Sequence, residues 1–317
     1  MNIYDEVIKA ERRIRPYLKE TALEYSPYLS GLTRSRVWVK LENLQPTGSF
    51  KVRGAMNKLL ALDEEQKRHP VVTASTGNHG AAVAFGLHAL NRPGIIFVPD
   101  NAAPTKIDAI KRLGAEVRIH GANCLETEEY ARRFADREGF VYISPYNDPD
   151  IIAGQGTIGL ELAQQAAQID ALFVSVGGGG LISGIAGYLK AAGQNRLTVA
   201  GCLPENSPEM ALAVRAGTFV AVESKPTLSD GTAGGFEPGA ITFDFCRVLV
   251  DDYVLVSETE IAEAMRQFIE AHHLLIEGAA GTAIAGFLKW SGRFVDQNVV
   301  IVICGANISL STLKTIL

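Results

Sequence analysis

Cysteine is scarce in this chain of 317 residues, and the four present, Cys124, Cys202, Cys246 and Cys304, stand far apart. Such spacing makes neither a paired metal-binding motif nor a disulfide-dense framework, and it fits a reducing compartment such as the cytoplasm. Long apolar runs are missing too. No stretch reaches the roughly 18 apolar residues of a membrane-spanning helix. The first segment, Met1–Leu18, reads as a charged amphipathic helix without the apolar centre of a signal peptide. Nor is there a basic block. The net charge of -5 arises from interspersed charges of both signs, so nothing is laid out to follow a phosphate backbone, and nucleic acid is a poor partner.

What is present suffices for a large core, since 47% of the residues are apolar, and the length is comfortable for two domains. Short apolar strands alternate with helical stretches. Val37–Leu41, Val71–Ala74, Gly94–Val98, Glu116–Ile119, Ala171–Val176, Leu197–Cys202 and Val299–Cys304 read as strands. Lys51–Leu62, Gly80–Leu90, Thr105–Leu113, Glu126–Arg137, Gly156–Gln168, Leu181–Ala192, Pro208–Ala216, Glu258–Ala271 and Gly281–Trp290 read as helices. Apolar strands between helices imply parallel sheets covered on both faces, with ligands at the strand C-termini. The turn-rich Pro145–Pro149 marks a domain crossing.

Three strand-end loops carry the chemistry. In Thr47-Gly48-Ser49-Phe50-Lys51 a tight polar turn delivers a lysine at the start of a helix, beside an aromatic ring. A surface lysine is the ordinary reading, whereas an amine placed this way suits an aldehyde cofactor. Arg53, two residues on, either pairs with a carboxylate or helps to hold Lys51 neutral. In Gly177-Gly178-Gly179-Gly180-Leu181 four glycines precede a helix. A tight turn would hardly need all four, whereas backbone N–H groups at a helix N-terminus suit an anion such as phosphate. The spacing is not that of a dinucleotide fingerprint. In Ser75-Thr76-Gly77-Asn78-His79 hydrogen-bonding side chains crowd one strand end. Asn78 alone could cap the following helix, but a cap does not explain the cluster. Cys304, at the end of the last apolar strand, is either a buried core residue or a neutral partner for a heterocyclic nitrogen.

Together these segments, with Ile152-Ala153-Gly154-Gln155-Gly156-Thr157 and Cys304-Gly305-Ala306-Asn307, resemble the fold-type II pyridoxal-phosphate enzymes. The similarity is to the serine/threonine dehydratase and serine racemase branch, over essentially the whole chain. The resemblance implies a tryptophan-synthase-beta-like α/β fold of two parallel-sheet domains. Residues 1–68 plus 148–317 would form the large cofactor-binding domain and 69–147 a small mobile substrate domain, in a homodimer. It implies that Lys51 joins the pyridoxal 5'-phosphate aldehyde as a Schiff base and takes the substrate α-proton. Phe50 would lie beside the pyridine ring, Asn78 bond its 3-hydroxyl, Gly177, Gly178, Gly179, Gly180 and Leu181 hold the phosphate, and Cys304 face the ring nitrogen. Ser75, Thr76, Asn78 and His79 would line the substrate-carboxylate loop, with Glu277 at the periphery.

The implied reaction is β-elimination of water from a β-hydroxy amino acid such as L-threonine or L-serine, giving a 2-oxo acid and ammonia. Racemisation is the alternative. Racemases of this branch have a catalytic serine, acting on the face opposite the lysine, where this chain has Thr76, so the resemblance makes Thr76 a catalytic candidate that keeps the hydroxyl and adds a methyl. The runs Ala74–Gly80 and Ile152–Leu162 also look like the dehydratase of hydroxyectoine breakdown. The glycine-rich end of Thr227–Phe236 could admit a larger β-substituent. Two departures from the family stand out. Glu277 lacks the proline that usually follows it. The family's divalent-cation site has Leu203 in place of a carboxylate, with Glu209 retained, so no metal is expected. A nicotinamide oxidoreductase or a silent binding module would share the α/β pattern but would not need Lys51 beside Phe50.

Overall fold

Strands such as Ala171–Ser175, buried along their whole length, are stable only where helices cover both faces of their sheet. The computed structural model, which describes residues 2–102, 104–122 and 124–317, meets that requirement twice. In chain order the elements are α1 (Ile3–Ile14), β1 (Leu23–Tyr25), α2 (Pro27–Thr33), β2 (Arg36–Lys40), α3 (Lys51–Ala61), β3 (Val71–Ala74), α4 (Asn78–Ala89), β4 (Gly94–Val98), α5 (Pro104–Arg112), β5 (Glu116–Ile119), α6 (Cys124–Glu138) and β6 (Val141–Tyr142). There follow α7 (Pro149–Gln165), β7 (Ala171–Ser175), α8 (Gly180–Ala191), β8 (Thr198–Pro204), α9 (Glu209–Ala216), α10 (Ile241–Leu249), β9 (Asp252–Val256), α11 (Glu258–His272), α12 (Gly278–Trp290), β10 (Asn298–Val302) and α13 (Leu310–Ile316).

Among the described residues, one sheet has the order β1-β2-β10-β7-β8-β9 and the other β5-β4-β3-β6. Their pairings are parallel except for β1 against β2. The central register sets Val299 beside both Val37 and Ala171. This brings the C-terminal ends of β2, β10 and β7 to one edge, where ligands bind in open parallel sheets.

Several elements depart from the sequence reading. Helix α7 starts seven residues before the expected Gly156, because Asp148 caps it by accepting from Asp150 N and Ile151 N at 2.8 and 3.2 Å. Pro149 opens this helix, where a missing N–H removes no intrahelical bond. Helix α4 begins at Asn78 itself, with Gly77 before it. Strands β1, β6 and β9 and helices α2, α10 and α13 are absent from the sequence reading; β1 and β6, of three and two residues, are too short for their periodicity to stand out. Of the cysteines, Cys202, Cys246 and Cys304 are buried and unpaired, and the Cys124 side chain lies outside the described residues.

Helix α3 is positioned by close backbone contact and by charge. A Cβ on Gly154 of α7 would lie 2.6 Å from Gly54 Cα, so these two helices touch backbone to backbone. Beside that contact Arg53, 0% exposed, pairs with Glu42 and with Glu161, each at 2.7 Å. The Glu161 carboxylate also meets Lys40 and Arg15. Of the two roles open to Arg53, the structure therefore selects carboxylate pairing. Burial alone would raise the Glu161 pKa, but Arg53 and Lys40 overcome it and hold the group at about 2.

Arg53→Ala takes the guanidinium from buried Glu42 and leaves Glu161 with Lys40 and Arg15 alone, so we expect a loss of roughly 3–5 kcal/mol of stability, read from urea unfolding. Because Glu161 is depressed in the folded state, its contribution is complete above its unfolded pKa of 4.5. It fades as pH falls towards about 2. Acid titration of the wild type should therefore lose stability across that window more steeply than a Glu161→Gln variant.

Candidate active site

The turn before α3 is fastened to the end of β10. Phe50 N donates to Cys304 O at 3.0 Å and Ala306 N to Gly48 O at 2.8 Å. Gly48 has φ of 71°, a left-handed conformation that favours glycine, and a Cβ there would lie 2.7 Å from Asn307 Oδ1. The turn therefore delivers Lys51 at one place, the first residue of α3. Its Nζ donates to Pro145 O at 2.8 Å and lies 5.3 Å from the centre of the Phe50 ring. Burial lowers its pKa to about 8, against the opposing pull of Glu128 and Glu277.

Across the cavity, β7 runs into the four glycines. Gly179, with φ of 84°, precedes the first residue of α8, one residue earlier than expected. A Cβ on Gly177 would lie 2.8 Å from Thr232 O, one on Gly179 2.8 Å from Cys246 Sγ, and one on Gly178 would strike the Tyr146 ring. Side chains are thus excluded by packing, which leaves backbone N–H groups and the positive end of α8 at the cavity.

Phe50, Lys51, Asn78, Gly177–Leu181, Glu277 and Cys304 line this cavity. The sequence reading missed Tyr146, hidden in what looked like a simple crossing segment, and gave no role to Ser175 or Ala279, which also line it. Gly231 and Thr232 come from the glycine-rich run noted in the sequence. Of the loop after β3, Asn78 is the member that lines the cavity among the described residues. Ser75 Oγ accepts from Gly77 N at 3.2 Å, and Thr76 is half-buried in the same turn. The His79 ring is buried and bonds through Nε2 to Ile143 O at 3.1 Å. Burial, reinforced by the Lys51 charge, lowers its pKa to about 3, so the ring is neutral and Nε2 carries the donated proton. Its backbone N–H belongs to the first turn of α4, where N–H groups have no partner within the helix.

Asn78 does not cap α4. Its Nδ2 donates to the two Glu277 oxygens at 2.9 and 3.0 Å. Cys304 receives a hydrogen bond from Ser175 Oγ at 3.5 Å. Burial raises the thiol pKa far above its ordinary value, and the Glu277 carboxylate raises it further, so Cys304 is a neutral thiol. The sequence resemblance places the family's divalent-cation site at Leu203 and Glu209. Leu203 is buried and apolar, and the Glu209 carboxylate accepts from the Ser207 and Ser224 hydroxyls. Among the described residues no group of three or more histidine, cysteine or acidic side chains could hold a metal ion.

Residues 14–305 match the family model described as pyridoxal-phosphate dependent enzyme. The chain is 39% identical over 313 residues to an L-threonine ammonia-lyase of Thermotoga maritima, covering 99% of this chain and 77% of that protein. The processed form of threonine deaminase isoform 2 from Solanum lycopersicum superposes with a TM-score of 0.94 at 32% identity, covering 99% of this chain and 92% of the other. Maize serine racemase gives a TM-score of 0.92 at 32% identity, covering 98% and 95%.

The cavity fits that cofactor on its own geometry. A buried amine with a depressed pKa suits an aldehyde, a wall closed to a Cβ at Gly177, Gly178 and Gly179 beside a helix N-terminus suits a phosphate dianion, and a neutral thiol suits an unprotonated ring nitrogen. Competitive labelling of the cofactor-free protein with acetic anhydride should show Lys51 becoming reactive with a midpoint near pH 8. A midpoint in the ordinary lysine range of about 10.4 would remove burial as the activating factor.

Proposed function

The chain belongs to the family of pyridoxal-phosphate-dependent enzymes, and from that premise we propose that it is an ammonia-lyase. It converts a β-hydroxy amino acid of the L-threonine or L-serine class into a 2-oxo acid and ammonia. The observation that carries this reading is the Lys51 amine, lowered to about pKa 8, in one cavity with the glycine loop and the neutral Cys304 thiol. Likeness to L-threonine ammonia-lyase over nearly the whole chain supports the substrate class.

Bound in the cavity, pyridoxal phosphate supplies an aldehyde for the substrate amine and an electron-withdrawing ring that acidifies the substrate α-C–H. Gly177–Gly180 and the N-terminus of α8 would hold the phosphate, and Phe50 would lie beside the ring. Asn78 would donate to the 3-oxygen. Cys304, a neutral thiol, would meet the ring nitrogen without protonating it. Lys51, neutral at mildly alkaline pH, accepts the α-proton. The start of α4, with Ser75, Thr76 and the His79 backbone, holds the substrate carboxylate through hydroxyl and N–H donors.

Residues 69–147 act as the small substrate domain and residues 1–68 plus 148–317 as the large one. The first set contains β3–β6, and carboxylate binding at the start of α4 draws it inward and excludes water. The protein works as a homodimer in the cytoplasm. The unpaired Cys202, Cys246 and Cys304 suit that compartment, and among the described residues no helix is long and apolar enough to cross a membrane.

Racemisation is the second reading, favoured by the Thr76 hydroxyl and by the likeness to maize serine racemase. Incubation with L-threonine and L-serine should release 2-oxo acid and ammonia in equal amounts, and Lys51→Ala should abolish this. Conserved total amino acid with accumulation of the D-form would select racemisation instead. Full turnover by Lys51→Ala without added amine would remove the lysine from the chemistry. Chelator treatment should leave turnover unchanged, because Leu203 cannot ligate a hard cation.

A further inference from the structure

Glu277 occupies the N-cap position of α12, yet its side chain makes no capping hydrogen bond to that helix. Its carboxylate, 3% exposed, is engaged with the cavity residues. Both oxygens accept from Asn78 Nδ2, at 2.9 and 3.0 Å, and Asn307 N donates to the same carboxylate at 3.1 Å. Asn307 Nδ2 in turn donates to Asn78 Oδ1 at 2.7 Å and to Thr47 O at 2.8 Å. The Cys304 thiol adds a weaker contact at 3.8 Å.

This arrangement fixes the polarity of an otherwise ambiguous group. An asparagine amide can turn either end towards a ligand, and in a cavity without a guide both orientations are open. Beside a carboxylate the amide oxygen is repelled and the N–H end is held by charge-assisted hydrogen bonding. Asn307 secures the other end by donating to Oδ1. With one N–H shared between the Glu277 oxygens, the second N–H of Asn78 is left for an acceptor in the cavity. Asn78 and Glu277 are 199 residues apart in sequence and come from helix starts on different sheets' connections, so the pair also joins the two halves of the site.

We infer that Glu277 is a positioning residue that holds the Asn78 amide as an N–H donor to the 3-oxygen of pyridoxal phosphate. This rests on the proposed placement of Asn78 against that oxygen. Glu277 acts through Asn78 and contributes to cofactor affinity only while Asn78 is present. A purely structural role would lower stability without that dependence.

The test is a double-mutant cycle on cofactor affinity, measured by titrating cofactor-free protein with pyridoxal phosphate, together with thermal unfolding of each protein. Glu277→Gln should weaken binding by roughly tenfold, the scale of one charge-assisted hydrogen bond. Asn78→Ala should weaken it at least as much, and adding Glu277→Gln to Asn78→Ala should cause little further loss. An unchanged affinity for Glu277→Gln, or the same factor in both backgrounds, would overturn the inference. If Asn78→Ala leaves affinity unchanged, the placement of Asn78 falls and the inference falls with it. If Asn78→Ala weakens binding and Glu277→Gln does not, the inference alone falls. Should Glu277→Gln fail to fold, Glu277→Asp, whose shorter side chain loses its reach to Asn78, is measured against the same outcomes.

Discussion

The pairing of Arg53 with Glu42 and Glu161 is the constraint on which the site depends. A guanidinium with no exposed surface is unfavourable unless its donors are matched, and here two carboxylates match them. Glu42 follows β2 and Glu161 lies on α7, so the pairing holds α3 against both, and Gly54 resting on Gly154 removes the remaining slack. Lys51, two residues before Arg53, inherits that rigidity. An amine that must reach an aldehyde cannot be carried on a loose helix end, because small displacements of reacting atoms are expensive in rate.

The opposite wall is fixed by exclusion rather than by charge. Thr232, Tyr146 and Cys246 stand where the side chains of the glycine loop would be, so only backbone dipoles face the cavity there. Charged groups are kept few and are held in defined states. Burial leaves Lys51 able to be neutral near pH 8 and keeps His79 uncharged. Cys304 stays protonated beside Glu277. A cavity in which the amine can be neutral and the thiol remains neutral suits proton abstraction followed by prompt departure of a leaving group.

Much of this was legible in the sequence because it is local. The turn into Lys51, the four glycines and the apolar strands each declare themselves within about ten residues, and they fix the α/β class and the strand-end position of the site. What was hidden is what depends on distant partners. Arg53 read equally well as an activator of Lys51 or as a salt-bridge residue until Glu161 was seen beside it. For Asn78 a helix cap stood beside the role of a ligand to the ring 3-hydroxyl, because nothing nearby in sequence announces Glu277. Pro149 looked like an interruption, although proline at the first helical position is compatible with α7. Tyr146 gave no signal, since an aromatic in a turn segment is ordinary until the fold sets it against Gly178.

The central claim is that the buried ionic cluster and the fastened turn present Lys51, out of all the lysines of the chain, to the cofactor. Borohydride reduction of the protein carrying pyridoxal phosphate, followed by peptide mass mapping, tests this most directly. The account predicts loss of the visible band and one pyridoxyl group on the peptide containing Lys51. A pyridoxyl group on another lysine, with Lys51 unmodified, would contradict it.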